Sequence, residues 1–233
     1  MKTVGIIPAR GGSKGIPRKN LRKVGSKSLV ANRIMEARKS ICDEVYVSTE
    51  DNEIASEALA HVARVIHRPI DLAQDNTSTD AVLLHAIEES GFKDDDILVL
   101  LQPTSPFLGF HKINECIEEL IKHSDANSAI TLRLGHPFMW SKEKSLYEPR
   151  GHSRNNRPRR QDLGIEGWET GGCYAIRVSA LKDQKVRYPS PTLGISVNHL
   201  EALDIDTNED LDLAVRIMES LEIQDRDDGG FRG

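Results

Sequence analysis

The sequence predicts an α/β fold, a three-layer, Rossmann-like domain built on a mainly parallel sheet. Short apolar runs alternate with helix-forming stretches from residue 3 to residue 134, which is typical of strands covered by helices on both faces. The run 97–101 consists of five aliphatic residues and predicts a strand buried on both faces. Ligands of such folds bind at the carboxyl ends of the strands.

The elements follow in order from local composition. The β-rich run 3–7 predicts the first strand, which Pro8 and a glycine-rich loop end. Good helix formers follow at 29–40, and a β-branched run at 44–49 predicts the second strand. Asp51 or Asn52 can cap a helix at 52–60. A short strand is predicted at 63–66, and a helix at 79–90 ends before Gly91, a residue suited to a left-handed cap.

After the central strand, the pattern predicts a helix at 113–123 and a strand at 128–134. A further strand is predicted at 171–177, an acidic strand and turn at 200–207, and a last amphipathic helix at 208–221. Residues 135–168 are poor in aliphatic side chains and rich in Arg, Pro and Asn, so they cannot build a core. We therefore predict one domain over 1–222, with a protruding arm at about 135–168 and a disordered tail at 223–233.

Composition excludes several classes of protein. The chain has 233 residues, a formal net charge of −5 and a pI near 5.9, which argues against a general nucleic-acid binder. No apolar stretch reaches the length of a membrane span, and the start does not resemble a signal peptide. The three cysteines form no pair or metal motif and predict reduced thiols and a cytoplasmic location.

The loop after the first strand combines glycines with cations. Residues 8–20 read Pro-Ala-Arg-Gly-Gly-Ser-Lys-Gly-Ile-Pro-Arg-Lys-Asn. Its glycines allow positive φ angles and close backbone approach, and successive free N–H groups can bind an anion. The four cations suit a polyphosphate, although a solvated turn is the alternative. The loop is neither a P-loop nor a dinucleotide-binding motif.

Four later segments extend this pattern in chain order. They are Val-Ser-Thr-Glu-Asp at 47–51, Leu-Gln-Pro-Thr-Ser-Pro at 101–106, Arg-Arg-Gln-Asp at 159–162 and Leu-Asp-Ile-Asp-Thr at 203–207. Together with the glycine-rich loop, they resemble the acylneuraminate cytidylyltransferase family over residues 2–216. The resemblance implies a nucleotide-diphospho-sugar transferase fold with a dimerisation arm. It also implies transfer of a cytidylyl group from CTP to a nonulosonic, sialic-acid-like sugar acid with Mg²⁺ as cofactor.

The resemblance also assigns roles to residues of this chain. The implied nucleotide-binding residues are Arg10, Gly11, Gly12, Ser13, Lys19, Asn20, Arg68, Thr77 and Thr79. The implied substrate-binding residues are Gln102, Arg159, Arg160 and Gln161, and the implied metal ligands are Asp204 and Asp206. Catalysis would rest on Arg10, Lys19, Asp206 and Arg160. The expected assembly is a homodimer or a tetramer, with the arm docked on a second copy.

The residues themselves support part of this assignment. Asp204 and Asp206 are two positions apart, so on a strand both carboxylates would share one face and could hold Mg²⁺ beside a phosphate. A helix N-terminal cap is the alternative for the same pair. Gln102 follows the central strand and would face the ligand crevice, although the two neighbouring prolines explain a turn there as well.

One segment departs from the family pattern. Many members have an Asn-Gly pair before the late strand, often after a basic residue, whereas this chain has Gly171 and Glu169 in those places. The change puts sialic acid itself in doubt as the substrate. Three other functions stay open: activation of a keto-deoxy-octulosonic acid, use of another triphosphate such as GTP, and a sugar-nucleotide sensor without turnover.

Overall fold

The computed structural model describes residues 1–229. Its strands, numbered in chain order, are β1 (Thr3–Pro8), β2 (Lys23–Val24), β3 (Lys27–Ser28), β4 (Glu44–Thr49), β5 (Arg64–His67), β6 (Ile97–Leu101), β7 (Ser128–Gly135), β8 (Met139–Glu143), β9 (Leu146–Arg150), β10 (Glu166–Arg177) and β11 (Thr192–Val197). Its α-helices are α1 (Leu29–Lys39), α2 (Asn52–Ala60), α3 (Thr79–Ser90), α4 (Phe110–Lys122), α5 (Val178–Gln184) and α6 (Asn208–Gly229).

A seven-stranded sheet forms the centre of the protein, in the order β11-β7-β10-β6-β1-β4-β5. The pairs β1–β4, β1–β6, β4–β5 and β7–β11 are parallel, and β10 runs antiparallel to both of its neighbours. The mainly parallel sheet predicted from the sequence is therefore confirmed. The carboxyl ends of β1, β4, β5 and β6 meet at one edge, and each leads into a segment with polar side chains.

Helices cover both faces of this sheet and make three layers. Along β6, Ile97, Val99 and Leu101 pack in one cluster with α1, α2 and α4, while Leu98 and Leu100 pack in a second cluster with α3 and α5. The alternation follows from the two-residue period of a strand. A third cluster joins Ile16 of the glycine-rich loop to Ile205 and to α6.

The sequence analysis missed several elements, among them β11 and α5 as well as the short strands β2, β3, β8 and β9. The strand β11 at the sheet edge contains Gly194, which weakens its strand pattern, and only Ile195 and Val197 are buried. The short α5 directly follows β10, so its apolar residues resemble a continuation of the strand. The helix α4 begins at Phe110, ahead of the predicted start at 113, because Gly109 has an extended backbone and serves as its N-cap.

The acidic segment 200–207 is not a strand, which corrects the prediction made from its sequence. Its backbone is a turn held by side chains: Asn198 accepts from the N–H groups of Leu200 and Glu201, and Asp210 accepts from those of Asp206 and Thr207. These bonds satisfy the N–H groups that a sheet ladder would otherwise use.

The segment predicted as an arm extends the sheet and carries a hairpin. β10 begins at Glu166 and pairs with β7 as far as Gly135, and β8 and β9 form a two-stranded sheet of their own. Exposed apolar side chains are concentrated here, at Leu134, Met139, Trp140, Leu146, Tyr147 and Ile165.

The final helix enters the segment predicted as a disordered tail. No proline or glycine interrupts the sequence before Gly229, so α6 continues to that residue, and residues 230–233 lie outside the described part. None of the helices within residues 1–229 combines the length and apolar character that a membrane span requires.

Candidate active site

The glycine-rich loop packs closely against two acidic segments. A Cβ atom at Gly11 would collide with the carboxylate of Asp51, and one at Gly15 would lie 2.7 Å from the carbonyl oxygen of Asp206. Neither glycine has a positive φ angle, so the expected conformational reason is wrong. The glycines are needed for close approach, which places the loop against the acidic turn.

The loop leaves backbone donors available. The Gly11 N–H donates to Glu50 Oε1 at 2.7 Å, whereas the N–H groups of Gly12, Ser13, Lys14 and Gly15 have no acceptor among the described residues. Successive free amides of this kind bind phosphate oxygens. Gly12 has open space around it.

Two cations of the loop share one carboxylate. Arg10 Nη1 lies 2.9 Å from Asp75 Oδ1, and Lys14 Nζ lies 3.2 Å from Asp75 Oδ2. The Lys14 ammonium, followed by the Arg10 guanidinium, lowers the pKa of Asp75 below its usual value. The loop thus concentrates positive charge, which the Asp75 carboxylate partly neutralises.

Lys19 and Asn20 connect the loop to its surroundings. Lys19 Nζ donates to the Ile205 carbonyl oxygen at 2.8 Å and lies 3.1 Å from Asp206 Oδ1. Asn20 is buried and donates to the Arg10 carbonyl oxygen at 2.9 Å. Asn20 therefore fixes the loop backbone at the residue whose side chain carries the first cation.

A cavity of about 400 Å³ opens at the carboxyl ends of the strands. Most of the predicted nucleotide-binding residues line it, namely Arg10, Ser13, Lys19, Asn20, Arg68, Thr77 and Thr79, together with Gln102 and Asp206. The predicted Gly11 and Gly12 are not among the lining residues.

The inner wall of this cavity is held by Arg68. Its guanidinium donates to the Ser48 carbonyl oxygen at 2.6 Å, and burial lowers its pKa. Thr77 donates to the Asp71 carbonyl oxygen at 3.2 Å. Thr79 is the first residue of α3, whose N-terminal end, capped by Ser78, faces this region and favours negative charge.

A second cavity, of about 310 Å³, adjoins the first. Gln102 lines both cavities, and Arg133, Trp168, Glu169, Tyr174, Arg187 and Asp204 line the second. The segment after Gln102 is fixed from beneath by Arg33, which is fully buried and donates to the carbonyl oxygens of Ser105 and Leu108. Burial lowers the pKa of Arg33 to about 10.

The two acidic residues of the turn divide between the cavities. Asp206 lines the first and Asp204 the second, while the buried Ile205 between them donates its N–H to the Thr104 carbonyl oxygen at 2.9 Å. Asp204 Oδ1 is buried, and no hydrogen bond of good geometry reaches it from the described residues. Burial raises its pKa, and the nearby Thr104 hydroxyl offsets part of that rise. An orphaned carboxylate oxygen beside a second carboxylate fits a hard cation, although no group of three or more ligand-type side chains occurs in residues 1–229.

The comparisons with known proteins agree with this geometry. Residues 4–150 match the family model described as Cytidylyltransferase. The chain is 31% identical over 237 residues to the CMP-N,N'-diacetyllegionaminic acid synthase of Legionella pneumophila, covering 94% of this chain and 97% of that protein. The chain belongs to the cytidylyltransferase family.

Other similarities are consistent with this membership. N-acylneuraminate cytidylyltransferase B of Danio rerio is 33% identical over 173 residues, which cover 72% of this chain but only 40% of that longer protein. A solved structure of CMP:2-keto-3-deoxy-manno-octonic acid synthetase complexed with CTP superposes with a TM-score of 0.69 at 17% identity, covering 94% of this chain and 99% of the other. That structure shows the shared fold.

Three predicted residues lie away from both cavities of this cytidylyltransferase. Arg159 is ion-paired with Asp162 at 2.7 Å, and neither it nor Arg160 or Gln161 lines either cavity within the described chain. All three are exposed on the arm.

The sequence analysis missed most of the second cavity. Arg133 and Arg187, which line it, have no motif around them. In the first cavity, Asp75 was missed as well, because it looks like an ordinary loop residue. Glu169 and Gly171 were noticed as departures, and the structure explains Gly171: its φ is +77° at an irregularity in β10. Glycine and asparagine both tolerate that conformation, so this change preserves the backbone.

Proposed function

We propose that this cytidylyltransferase transfers a cytidylyl group from CTP to the anomeric hydroxyl of a nonulosonic acid, giving a CMP-sugar and pyrophosphate. The observation that carries the proposal is the pair of adjoining cavities that share Gln102. One is walled by the cationic glycine-rich loop and suits a triphosphate. The other contains polar and charged groups that suit a hydroxylated acid.

The nucleotide belongs in the first cavity. The free amides of residues 12–15 and the side chains of Arg10 and Lys19 would contact the triphosphate, offsetting the charge that develops around the α-phosphate. Arg68, Thr77 and Thr79 would contact the ribose and base. Because phosphoryl-type transfer depends mainly on positioning and charge neutralisation, this arrangement supplies what the reaction needs.

The acid belongs in the second cavity, with its anomeric hydroxyl near Gln102. From there the hydroxyl oxygen can approach the α-phosphorus while the bond to pyrophosphate breaks on the opposite side, and the hydroxyl proton passes to water. Gln102 stands at the boundary and can orient the hydroxyl by hydrogen bonding. Closeness of the two reacting groups in one crevice provides a large part of the rate enhancement.

We propose Asp204 and Asp206 as the residues that would hold Mg²⁺. When bound, the cation neutralises phosphate charge and orients the triphosphate. The unpartnered buried oxygen of Asp204 supports this assignment, and so does the position of the turn between the two cavities. Lys19 lies beside Asp206 and would hold the turn in place with or without the cation.

We also propose a homodimer in which the arm docks on the second copy. Support comes from the exposed apolar side chains of the hairpin, of which Leu146 is 69% exposed. Such a patch outside an interface is unfavourable in water. In the dimer, Arg159, Arg160 and Gln161 would reach the neighbour's site, where the arginines suit a carboxylate or phosphate.

We further propose a cytoplasmic location, with which the three free thiols accord.

The test is pyrophosphate release in the presence of Mg²⁺ and CTP. The acid panel contains N-acetylneuraminic acid, N,N'-diacetyllegionaminic acid and 2-keto-3-deoxy-manno-octonic acid, with GTP, UTP and ATP as nucleotide controls. We expect release with CTP and one of the nine-carbon acids. CTP binding without release for any acid would favour a sensor, and release with the eight-carbon acid alone would replace the proposed substrate class.

A further inference from the structure

We infer that Arg133 binds the carboxylate of the acid substrate in the second cavity, and that the carboxylate of Glu169, which lines the same cavity, selects a ligand with hydroxyl or amide donors. The inference rests on the proposed function, since it concerns the same reaction. It assigns the role of carboxylate binding to a residue of the same chain, where the sequence had suggested the arginines of the arm.

Arg133 stands out because its guanidinium has no partner. It forms no ion pair and no hydrogen bond among the described residues, and its Nε atom is buried. The other arginine of the cavity, Arg187, also has a buried Nε without a hydrogen bond, but this atom lies 3.7 Å from Asp80 Oδ1 and so has a charge partner. A buried Nε–H without an acceptor is unfavourable until a ligand or a water molecule supplies one.

Trp168 holds Arg133 in a fixed orientation. The guanidinium carbon lies 4.9 Å from the centre of the Trp168 ring, directly across the β7–β10 ladder. A cation placed over an indole face is stabilised there, and its donor edge stays free. Because guanidinium N–H groups match the two oxygens of a carboxylate, the free edge of Arg133 is oriented to bind an acid.

The second cavity also contains a carboxylate that no cation neutralises among the described residues. Glu169 accepts a hydrogen bond from the Tyr174 hydroxyl and has no cation within ion-pair distance among the described residues. Within the described residues, the cavity therefore combines a guanidinium without an ion pair and a carboxylate without a cation. This combination suits a ligand with one acidic group and several O–H or N–H donors. A polyhydroxylated, amide-bearing sugar acid has that composition.

The test replaces Arg133 by Met, which keeps the stem over Trp168 but removes the charge. We expect the KM for the best acid of the panel to rise roughly 10- to 100-fold, as for loss of a charge-assisted pair, with the KM for CTP unchanged. Arg133→Lys should recover only part of the loss because it lacks the planar fork. Arg64→Met is the matched control: Arg64 also stacks on an aromatic ring, 5.5 Å from the centre of Tyr46, and lies at the opposite end of the sheet.

A second experiment compares the acid with its C1 carboxamide, which lacks the negative charge. The comparison separates recognition of the carboxylate charge from a general disruption of the site. The wild-type enzyme should prefer the acid to the amide, and Arg133→Met should lose most of that preference. An unchanged preference, or an equal rise in the KM values for acid and CTP, would overturn the inference.

A binding measurement covers the case in which no acid is turned over. The chain has two tryptophans, so a Trp140→Phe background leaves Trp168 as the only reporter. Each acid of the panel is titrated into the protein in the presence of CTP and EDTA. We expect binding of the acid to change the fluorescence emission of Trp168, with an affinity that falls in Arg133→Met. That result without turnover would reject the proposed function and keep the inference. No response to any acid would overturn the inference.

Discussion

Lys19 donates to the Ile205 carbonyl oxygen at 2.8 Å, across 186 positions of sequence. The bond joins the glycine-rich loop to the acidic turn, the two segments that would hold the triphosphate and the cation. Lys19 also lies 3.1 Å from Asp206. One side chain thus fixes the distance between the cationic and the acidic parts of the site.

Removal of the Lys19 ammonium should therefore impair catalysis more than folding. We expect Lys19→Met to lower kcat/KM for CTP about 10²- to 10³-fold, the usual cost of losing one preorganised charge contact, with a normal circular-dichroism spectrum. Lys23→Met is the control, because Lys23 is an exposed lysine a short distance further along the chain. A kcat/KM within twofold of the wild-type value would remove Lys19 from the site.

The sequence predicted the parts of the site that depend on local pattern. The glycine-rich loop, Gln102 after the buried strand and the acidic turn all lie where parallel-strand ends must meet. The second cavity could not be predicted in the same way. Arg133 reaches it through pairing with β10, and Glu169 enters it beside an irregularity in that strand. Both positions depend on contacts between distant segments. The register of β7 against β10 determines these contacts and cannot be predicted from the sequence of either strand alone.

Asp75 should compete with the triphosphate for Arg10 and Lys14. Asp75→Asn removes the competing charge, so we expect the KM for CTP to fall about two- to fivefold, within the range of exposed ion pairs. Asp71→Asn, in the same segment but without an ion pair among the described residues, is the control. A KM that rises in Asp75→Asn would show that the carboxylate contributes to binding.

Asp51 links stability to pH. It caps α2 through the N–H groups of Glu53 and Ile54, and Arg18 is the main cause of its pKa lying below the usual value of 3.8. A lowered carboxyl pKa contributes stability at neutral pH that is lost as the pH falls below about 4.

Asp51→Asn keeps a capping side chain and removes the charge. We expect a loss of about 0.5–1 kcal/mol at pH 7, measured by urea unfolding, which shrinks progressively as the pH falls below about 4. Asp125→Asn, an exposed control, should show no such trend. A loss that stays constant with pH would contradict the electrostatic origin.

The hairpin should mediate self-association. We expect Leu146→Glu to shift the protein from dimer to monomer in sedimentation equilibrium, since a buried charge would oppose docking. Leu59→Glu is matched to it: Leu59 is 64% exposed, compared with 69% for Leu146, and lies outside the arm. A wild-type monomer, or equal effects of both variants, would contradict the proposed interface.

The most direct test of cytidylyl transfer follows the phosphorus atoms of CTP. CTP labelled at the α-phosphate, or separately at the γ-phosphate, is incubated with Mg²⁺ and the best acid of the panel, and the products are separated by chromatography. We predict that the α label appears in an acid-labile CMP-sugar and the γ label in pyrophosphate, both only when the acid is present. The α label in free CMP without dependence on the acid, or the γ label on the sugar, would contradict the account.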